Sequence, residues 1–332
     1  MKIKYIDLFC GIGGFRIAAT QVFESHNISS ECLFSSDIDC YARESYRANF
    51  GDYPDGDITE IDAKIIPNHD LLFAGFPCQP FSIIGNGKGF NDVRGTLFFD
   101  IVRILEAKHP KGFILENVKR IVRHKNGYTF NRILETLKEL GYFVDYKVLN
   151  ALDYGLPQKR ERVFIVGFYK AIVFSWPQRF ERLTPLSDIL ETNVDEKFFA
   201  SPYIKAKRIA KHKPKFVPSI WHENKAGNIS SYPYSCSLRA GASYNYLLVN
   251  GERRLTPREM LRLQGFPDSF KIVVPDLHIR KQAGNAVPVN LVSAVLDSFL
   301  PILQYDFNQQ SLTSKINVGT YDREEIPSLT QR

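Results

Sequence analysis

Cysteine is scarce in this chain of 332 residues, and the five present fall in no close pairs. An odd number without metal-ligand spacing argues against a disulfide framework and a zinc site, so a reducing compartment and no metal are expected. No apolar run is long enough to cross a bilayer. The N-terminus carries Lys2 and Lys4 but soon reaches Asp7 and a glycine cluster, which is not a signal-peptide pattern. There is no internal repeat and no G-x-G-x-x-G dinucleotide fingerprint after the first strand. Together these absences point to a cytoplasmic protein without a membrane partner. What is present is 44% hydrophobic residues, enough for a substantial core in one large domain or two. The net charge of +7 is unevenly spread: residues 197–262 hold 13 Lys/Arg against 3 Asp/Glu, a net of +10 that leaves −3 for everything else. A solvated face is the plain meaning of a charge run, but one this regional suggests a polyanionic partner.

The first half alternates strand and helix patterns. Residues 4–9 read as a buried strand, then come Gly11, Gly13 and Gly14 and a helix over 15–23. Glycines at such a turn let the backbone approach a ligand; a tight structural turn explains them equally. A strand at 32–35 leads to Asp37, where a carboxylate often meets a ribose hydroxyl pair, although Asp37 also suits capping of a helix over 41–49. Asp57 either binds a ligand or closes a loop. Further strands at 71–73, 113–115, 143–149 and 163–166 and helices at 97–107 and 130–140 continue the rhythm. This predicts an α/β fold with a doubly wound, mostly parallel sheet, whose ligands bind at the carboxyl ends of the strands.

At that end lies Gly75-Phe76-Pro77-Cys78-Gln79-Pro80-Phe81-Ser82. Pro77 and Pro80 fix their own φ and disfavour helix for the residue before each, so Cys78 sits on a stiff turn after a strand. A thiolate presented there is a nucleophile; a small buried hydrophobe is the plainer reading. The glycine-rich residues 83–95 follow directly and suit a lid. Glu116 ends the strand 113–115, as an acid of the site or a solvated terminus. Arg160 and Arg162 share one face before the strand 163–166, for an anion or carbonyl or for surface salt bridges.

After Phe168 the rhythm stops. Prolines and aromatics rise, residues 205–215 are strongly basic, and a second, irregular domain is expected. A helix over 257–264 has Thr256 as N-cap, Pro257 in its first turn and Gly265 after it. An apolar helix to 299 and a polar, aperiodic tail close the chain.

In order, DLFCGIGGFR, GFPCQPFS, ENV, QKRERVF, RLTPREMLRLQGFPD and QAGNAVPVNL resemble six motifs of the DNA (cytosine-5)-methyltransferase family, over nearly the whole chain. The resemblance implies a Rossmann-like methyltransferase that uses S-adenosylmethionine to methylate carbon 5 of a flipped-out cytosine in a specific duplex sequence, within restriction-modification. By it, Cys78 adds to carbon 6, Glu116 hydrogen-bonds ring N3, and Arg160 and Arg162 contact or organise the O2 side. The same resemblance places Phe9, Gly11, Gly13, Gly14, Phe15, Asp37, Ile38, Asp57, Ile58, Pro77, Leu97, Asn285 and Val287 near the cofactor. It places Gln79, Ser82, Ser237, Leu238 and Arg239 on the DNA. Two positions depart from the family pattern: Asp37 stands where Glu is common, and Ser237-Leu238 replaces a Thr-Leu pair. The implied plan is a catalytic domain over 1–170, target recognition over 171–280, a helix over 281–304 returning to the first domain, and a polar tail over 305–332. Expected partners are double-stranded DNA and a paired restriction endonuclease, with the chain a monomer beside the nucleoid. The RNA-modifying branch of the family is disfavoured by the distinct recognition region and its Arg-rich return into RLTPRE.

Overall fold

Leu71, Leu72, Phe73 and Ala74 are all fully buried, which consecutive strand residues achieve only where both faces of their sheet are covered. A computed structural model describes residues 2–77, 97–169 and 173–316, those beyond 304 by backbone alone. The first half comprises β1 (Lys2–Leu8), α1 (Gly14–Ser25), β2 (Ser29–Ser36), α2 (Cys40–Phe50), β3 (Leu71–Gly75), α3 (Leu97–Lys108), β4 (Gly112–Val118), α4 (Tyr128–Glu139), β5 (Phe143–Asn150), β6 (Gln158–Lys159) and β7 (Glu161–Phe168). Six of these strands form one sheet in the order β2-β1-β3-β4-β7-β5. β1 is parallel to β2 and β3, and β3 to β4; β7 runs antiparallel to both β4 and β5.

Side-chain alternation divides the core between the faces. Leu71 and Phe73 join α1 in one cluster, while Leu72 and Ala74 join α3 and α4 in another. The chain leaves β1 toward β2 on one side and returns to β3 on the other. The carboxyl ends of β1 and β3 therefore diverge at a topological switch point, where the crossovers leave a crevice.

The second half contains α5 (Leu186–Ile189), α6 (Pro202–Lys211), β8 (Ile220–Glu223), β9 (Ile229–Tyr232), β10 (Ser235–Cys236), β11 (Leu247–Val249), α7 (Pro257–Leu263), α8 (Asp276–Asn285) and α9 (Val289–Ile316). β11, β8 and β9 form a small antiparallel sheet over a separate core that includes Leu238, Leu247 and Leu263. β10 pairs with β6, tying this half to the strand that precedes β7. Thr256 caps α7 through a capping box with Glu259.

Two differences from the sequence reading lie in the last helices. The stretch Asp276–Gln304 is long and apolar enough to cross a membrane by length and composition, but two-thirds of its most apolar window is buried inside the protein. Those side chains, Leu296 and Phe299 among them, pack in the same cluster as Ala18 and Phe23 of α1. α9 also continues to Ile316, past the point where a polar tail was expected. Residues 317–332 lie outside the described part.

Candidate active site

The crevice at the switch point opens into a cleft of about 1040 Å³. Phe9, Gly11, Gly14, Phe15, Asp37, Ile38, Asp57, Ile58, Pro77, Leu97, Asn285 and Val287 line it, and so do Glu116, Arg160, Arg162, Ser237, Leu238 and Arg239. Gly13 does not. It is the left-handed N-cap of α1 (φ 83°), and a Cβ there would lie 2.3 Å from the Phe50 ring, so its lack of a side chain serves the turn and its packing. Gly14 lets Val287 close in: a Cβ on it would meet the Val287 Cγ2 at 2.6 Å. Cys78, Gln79 and Ser82 lie outside the described residues; Pro77, the neighbour of Cys78 in the chain, is on the cleft wall.

At the β1 end, the Asp37 carboxylate accepts the Gly11 N–H at 2.8 Å on one oxygen and the Asp39 N–H at 2.8 Å on the other. Burial raises its pKa and those two donors pull it back. The capping role falls to Asp39 instead, whose Oδ1 accepts from the Tyr41 and Ala42 N–H groups at 3.0 and 3.3 Å. Asp57 does close a loop, accepting from the Thr59 N–H at 3.0 Å and hydroxyl at 2.9 Å, while also facing the cleft. Phe15 stacks on Phe73 with ring centroids 5.4 Å apart. Ile38 stands on the rim, 74% exposed. Three acids line this end, Asp37, Asp39 and Asp57, against Lys281, which is paired with Asp39 at 2.7 Å, and the Arg43 charge, which acts on Asp37 from behind the wall. That balance suits hydroxyls and cations and repels a pyrophosphate.

At the β4 end, Glu116 pairs with Gly75 across the strands and is 7% exposed. Its Oε1 receives the Arg162 Nε at 2.8 Å. Burial pushes its pKa above 4.5, opposed by the Arg162 and Arg160 charges. Arg160, 1% exposed, is spent on the backbone: one nitrogen donates to the Leu238 carbonyl at 3.0 Å and the Ser237 hydroxyl at 3.3 Å, the other to the Gly284 and Ala286 carbonyls at 3.0 and 2.8 Å. Arg160 therefore organises the walls rather than reaching into the space between them.

Sequence reasoning assigned no role to the groups that hold this geometry. Asn117 donates to the Phe76 carbonyl at 2.9 Å, fixing the turn that leads to Cys78. Gln158 accepts the Leu238 N–H at 2.9 Å and donates to the Leu263 carbonyl at 2.8 Å, so Leu238 is gripped at both ends of its backbone by Gln158 and Arg160. Gln264 bridges to the Ala283 carbonyl at 2.5 Å. Their signal was faint: all three stand inside the quoted motifs ENV, QKRERVF and RLTPREMLRLQGFPD, but nothing in the one-dimensional pattern marks them as buried. Among the other cysteines, burial pushes the Cys10 thiol well up and Cys32 up to about 12, so neither is a ready thiolate.

The family model of C-5 cytosine-specific DNA methylases matches residues 3–300. The Type II methyltransferase M.NgoBI of Neisseria gonorrhoeae is 57% identical over 294 residues, covering 88% of this chain and 91% of its own. M.HaeII of Haemophilus aegyptius, also named a Type II methyltransferase, is 53% identical over 304 residues, covering 90% and 93%. Among solved structures, the S. pombe Dnmt2 methyltransferase superposes with a TM-score of 0.69 over 91% of this chain and 99% of its own, and at 22% identity it bears on the fold alone. The chain belongs to the C-5 cytosine-specific DNA methylases and is a DNA (cytosine-5-)-methyltransferase of the restriction-modification kind.

Proposed function

We propose that the enzyme methylates carbon 5 of a cytosine turned out of a specific duplex sequence, using S-adenosylmethionine and a transient bond from Cys78 to ring carbon 6. The observation that carries this is the convergence in one cleft of an acid-lined glycine turn, a buried Glu116 steered by Arg162, and Pro77 beside Cys78.

The residues at the β1 end fit the cofactor. Both Asp37 oxygens keep lone pairs beyond the single N–H each accepts, enough for a ribose diol. Ile38, Ile58, Phe15 and Val287 offer apolar walls to an adenine, Gly11 and Gly14 allow close approach, and Asn285 and Leu97 border the space. S-adenosylmethionine supplies the electrophilic methyl group.

Carbon 5 of cytosine is a poor nucleophile. Addition of the Cys78 thiolate to carbon 6 would turn the ring into an enamine whose carbon 5 accepts the methyl group, the sulfonium leaving as a neutral thioether; a base would then take the carbon 5 proton as the carbon 6–sulfur bond breaks and the thiolate is released. Glu116 donates a hydrogen bond to N3, where electron density builds during addition, and its raised pKa favours the protonated form that this requires. Arg162 orients Glu116, and Arg160 positions Ser237, Leu238 and Arg239 on the DNA side. Gln79 and Ser82 are assigned to the DNA. Residues 1–170 carry catalysis, 171–280 target recognition, and 281–304 complete the first domain. The enzyme acts as a monomer in the cytoplasm beside a partner endonuclease.

Incubation with methyl-labelled S-adenosylmethionine and mixed-sequence duplex DNA, followed by digestion to nucleosides, is expected to give labelled 5-methylcytosine. Absence of label at cytosine carbon 5 overturns the proposal.

A further inference from the structure

Residues 117–134 contain Lys119, Arg120, Arg123, Lys125 and Arg132 and no acid at all. The run directly follows β4 and its Glu116, and lies outside the basic block of the second half. Its first part, 119–123, is a 3-10 turn that ends where the backbone leaves helical angles at His124. Ile121 is fully buried and pins the turn to the core, leaving Lys119, Arg120 and Arg123 exposed. A 3-10 helix has three residues per turn, so Arg120 and Arg123 share one face, about 6 Å apart along its axis.

Arg120 lines the cleft on the same wall as Glu116, whereas Arg239 lines it from the recognition side. Lys119 is paired with Glu161 at 2.7 Å. Among the described residues, Arg120 and Arg123 have no hydrogen-bond, ion-pair or ring partner. Arg120 on the cleft wall and Arg123 one turn further along the same face are exposed, unpaired guanidinium groups with one evident complement, an array of phosphates. Their axial separation is close to twice the 3.4 Å rise per phosphate of one DNA strand.

We infer that Arg120 and Arg123 form a phosphate-binding ledge that grips the duplex backbone across the cleft from Ser237–Arg239. The duplex is thus held from both walls, with the catalytic half contributing its own cations in addition to the basic second half. The inference rests on the proposed DNA face of the cleft.

The test measures binding of a mixed-sequence cytosine-containing duplex at 50–200 mM salt by the full chain, by the double variant Arg120→Ala/Arg123→Ala and by Arg120→Lys/Arg123→Lys. At about 0.9 per neutralised phosphate, the alanine pair should flatten the log affinity against log salt slope by about 1.8, so that it loses roughly tenfold less affinity over that range than the parent. The lysine pair should restore the parent slope, which a merely structural role would not do, and the alanine pair's methylation defect should fall in KM for DNA. An alanine pair with the parent slope and KM, in a parent that still methylates DNA, overturns the ledge alone. A parent that binds and methylates no duplex DNA overturns the reading beneath it.

Discussion

Among the described residues two glutamates are buried, Glu116 and Glu259, one in each half; each is paired with an arginine, and the two pairs are put to different uses. Glu259 of α7 is 0% exposed and accepts from two Arg253 nitrogens at 2.7 and 2.8 Å, from the Thr256 N–H at 2.8 Å and from the Glu191 N–H at 2.8 Å. Four donors saturate a carboxylate. Glu116 at the end of β4 takes only the Arg162 Nε on one oxygen, and among the described residues its other oxygen has no hydrogen-bond partner. A saturated buried pair fixes backbone, here the entry to α7 and the turn at Glu191. An unsaturated one facing a cleft retains capacity for a ligand, and leaving it so carries a cost that the proposed role of Glu116 accounts for.

This contrast predicts that the two pairs fail in different ways. Glu116→Gln keeps the shape and removes the acid, so kcat should drop by about 10²–10⁴ while the thermal midpoint stays near that of the parent. A comparable fall in midpoint would place Glu116 with the scaffold. Arg253→Ala strands a buried carboxylate and should cost about 3–5 kcal/mol of stability in denaturant unfolding. The protein that remains folded should keep its kcat, and a selective loss of kcat would erase the distinction.

A smaller effect is expected at Asp37, whose proposed hydrogen bonds to ribose hydroxyls would be charge-assisted. Asp37→Ala should raise KM for S-adenosylmethionine about 10- to 100-fold, the equivalent of roughly 1.5–3 kcal/mol, with little change in KM for DNA. Equal increases in both would mean that Asp37 supports the fold of the cleft rather than one ligand.

The smallest effect is a pH dependence. Burial places the folded pKa of Glu116 above its ordinary 4.5. Below 4.5 the acid is protonated in both states and costs nothing; as pH rises from there through the folded pKa, the unfolded chain loses its proton first and stability falls. Glu116→Gln should lack this decline, so its denaturation midpoint should gain on the parent with rising pH. In the parent, kcat should fall as pH rises through the folded pKa if, as proposed, the protonated acid is the donor to N3. A parent kcat that climbs across that window would exclude the donor role.

Much of the central sheet could be read in one dimension because its inner strands β3, β4 and β7 are buried on both faces. The run Leu71-Leu72-Phe73 and the turn Gly11-Ile12-Gly13-Gly14 carry their structural meaning locally. The direction of β7 did not show, since an antiparallel strand between β4 and β5 presents the same apolar run as a parallel one. The sequence reading offered Asp37 as the cap of α2, two residues early, because only folding shows that the Tyr41 and Ala42 N–H groups reach the Asp39 carboxylate. Gln158, Gln264 and Asn117 were invisible for a related reason: their value comes from backbone groups far along the chain, such as Leu238 and Ala283, that only folding brings within reach. The Arg120–Arg123 ledge escaped notice because the first half, summed as a whole, is close to neutral.

The proposed catalysis depends most on a covalent bond between Cys78 and the target cytosine. The direct measurement is denaturing electrophoresis after incubating the enzyme with S-adenosylmethionine and mixed-sequence duplex DNA in which cytosine carries fluorine at carbon 5. Fluorine cannot depart as the proton does, so the bond to carbon 6 should persist as a DNA-linked protein band that Cys78→Ala does not form. A parent enzyme that methylates ordinary DNA yet leaves no such band, or a band of equal strength from Cys78→Ala, would contradict it.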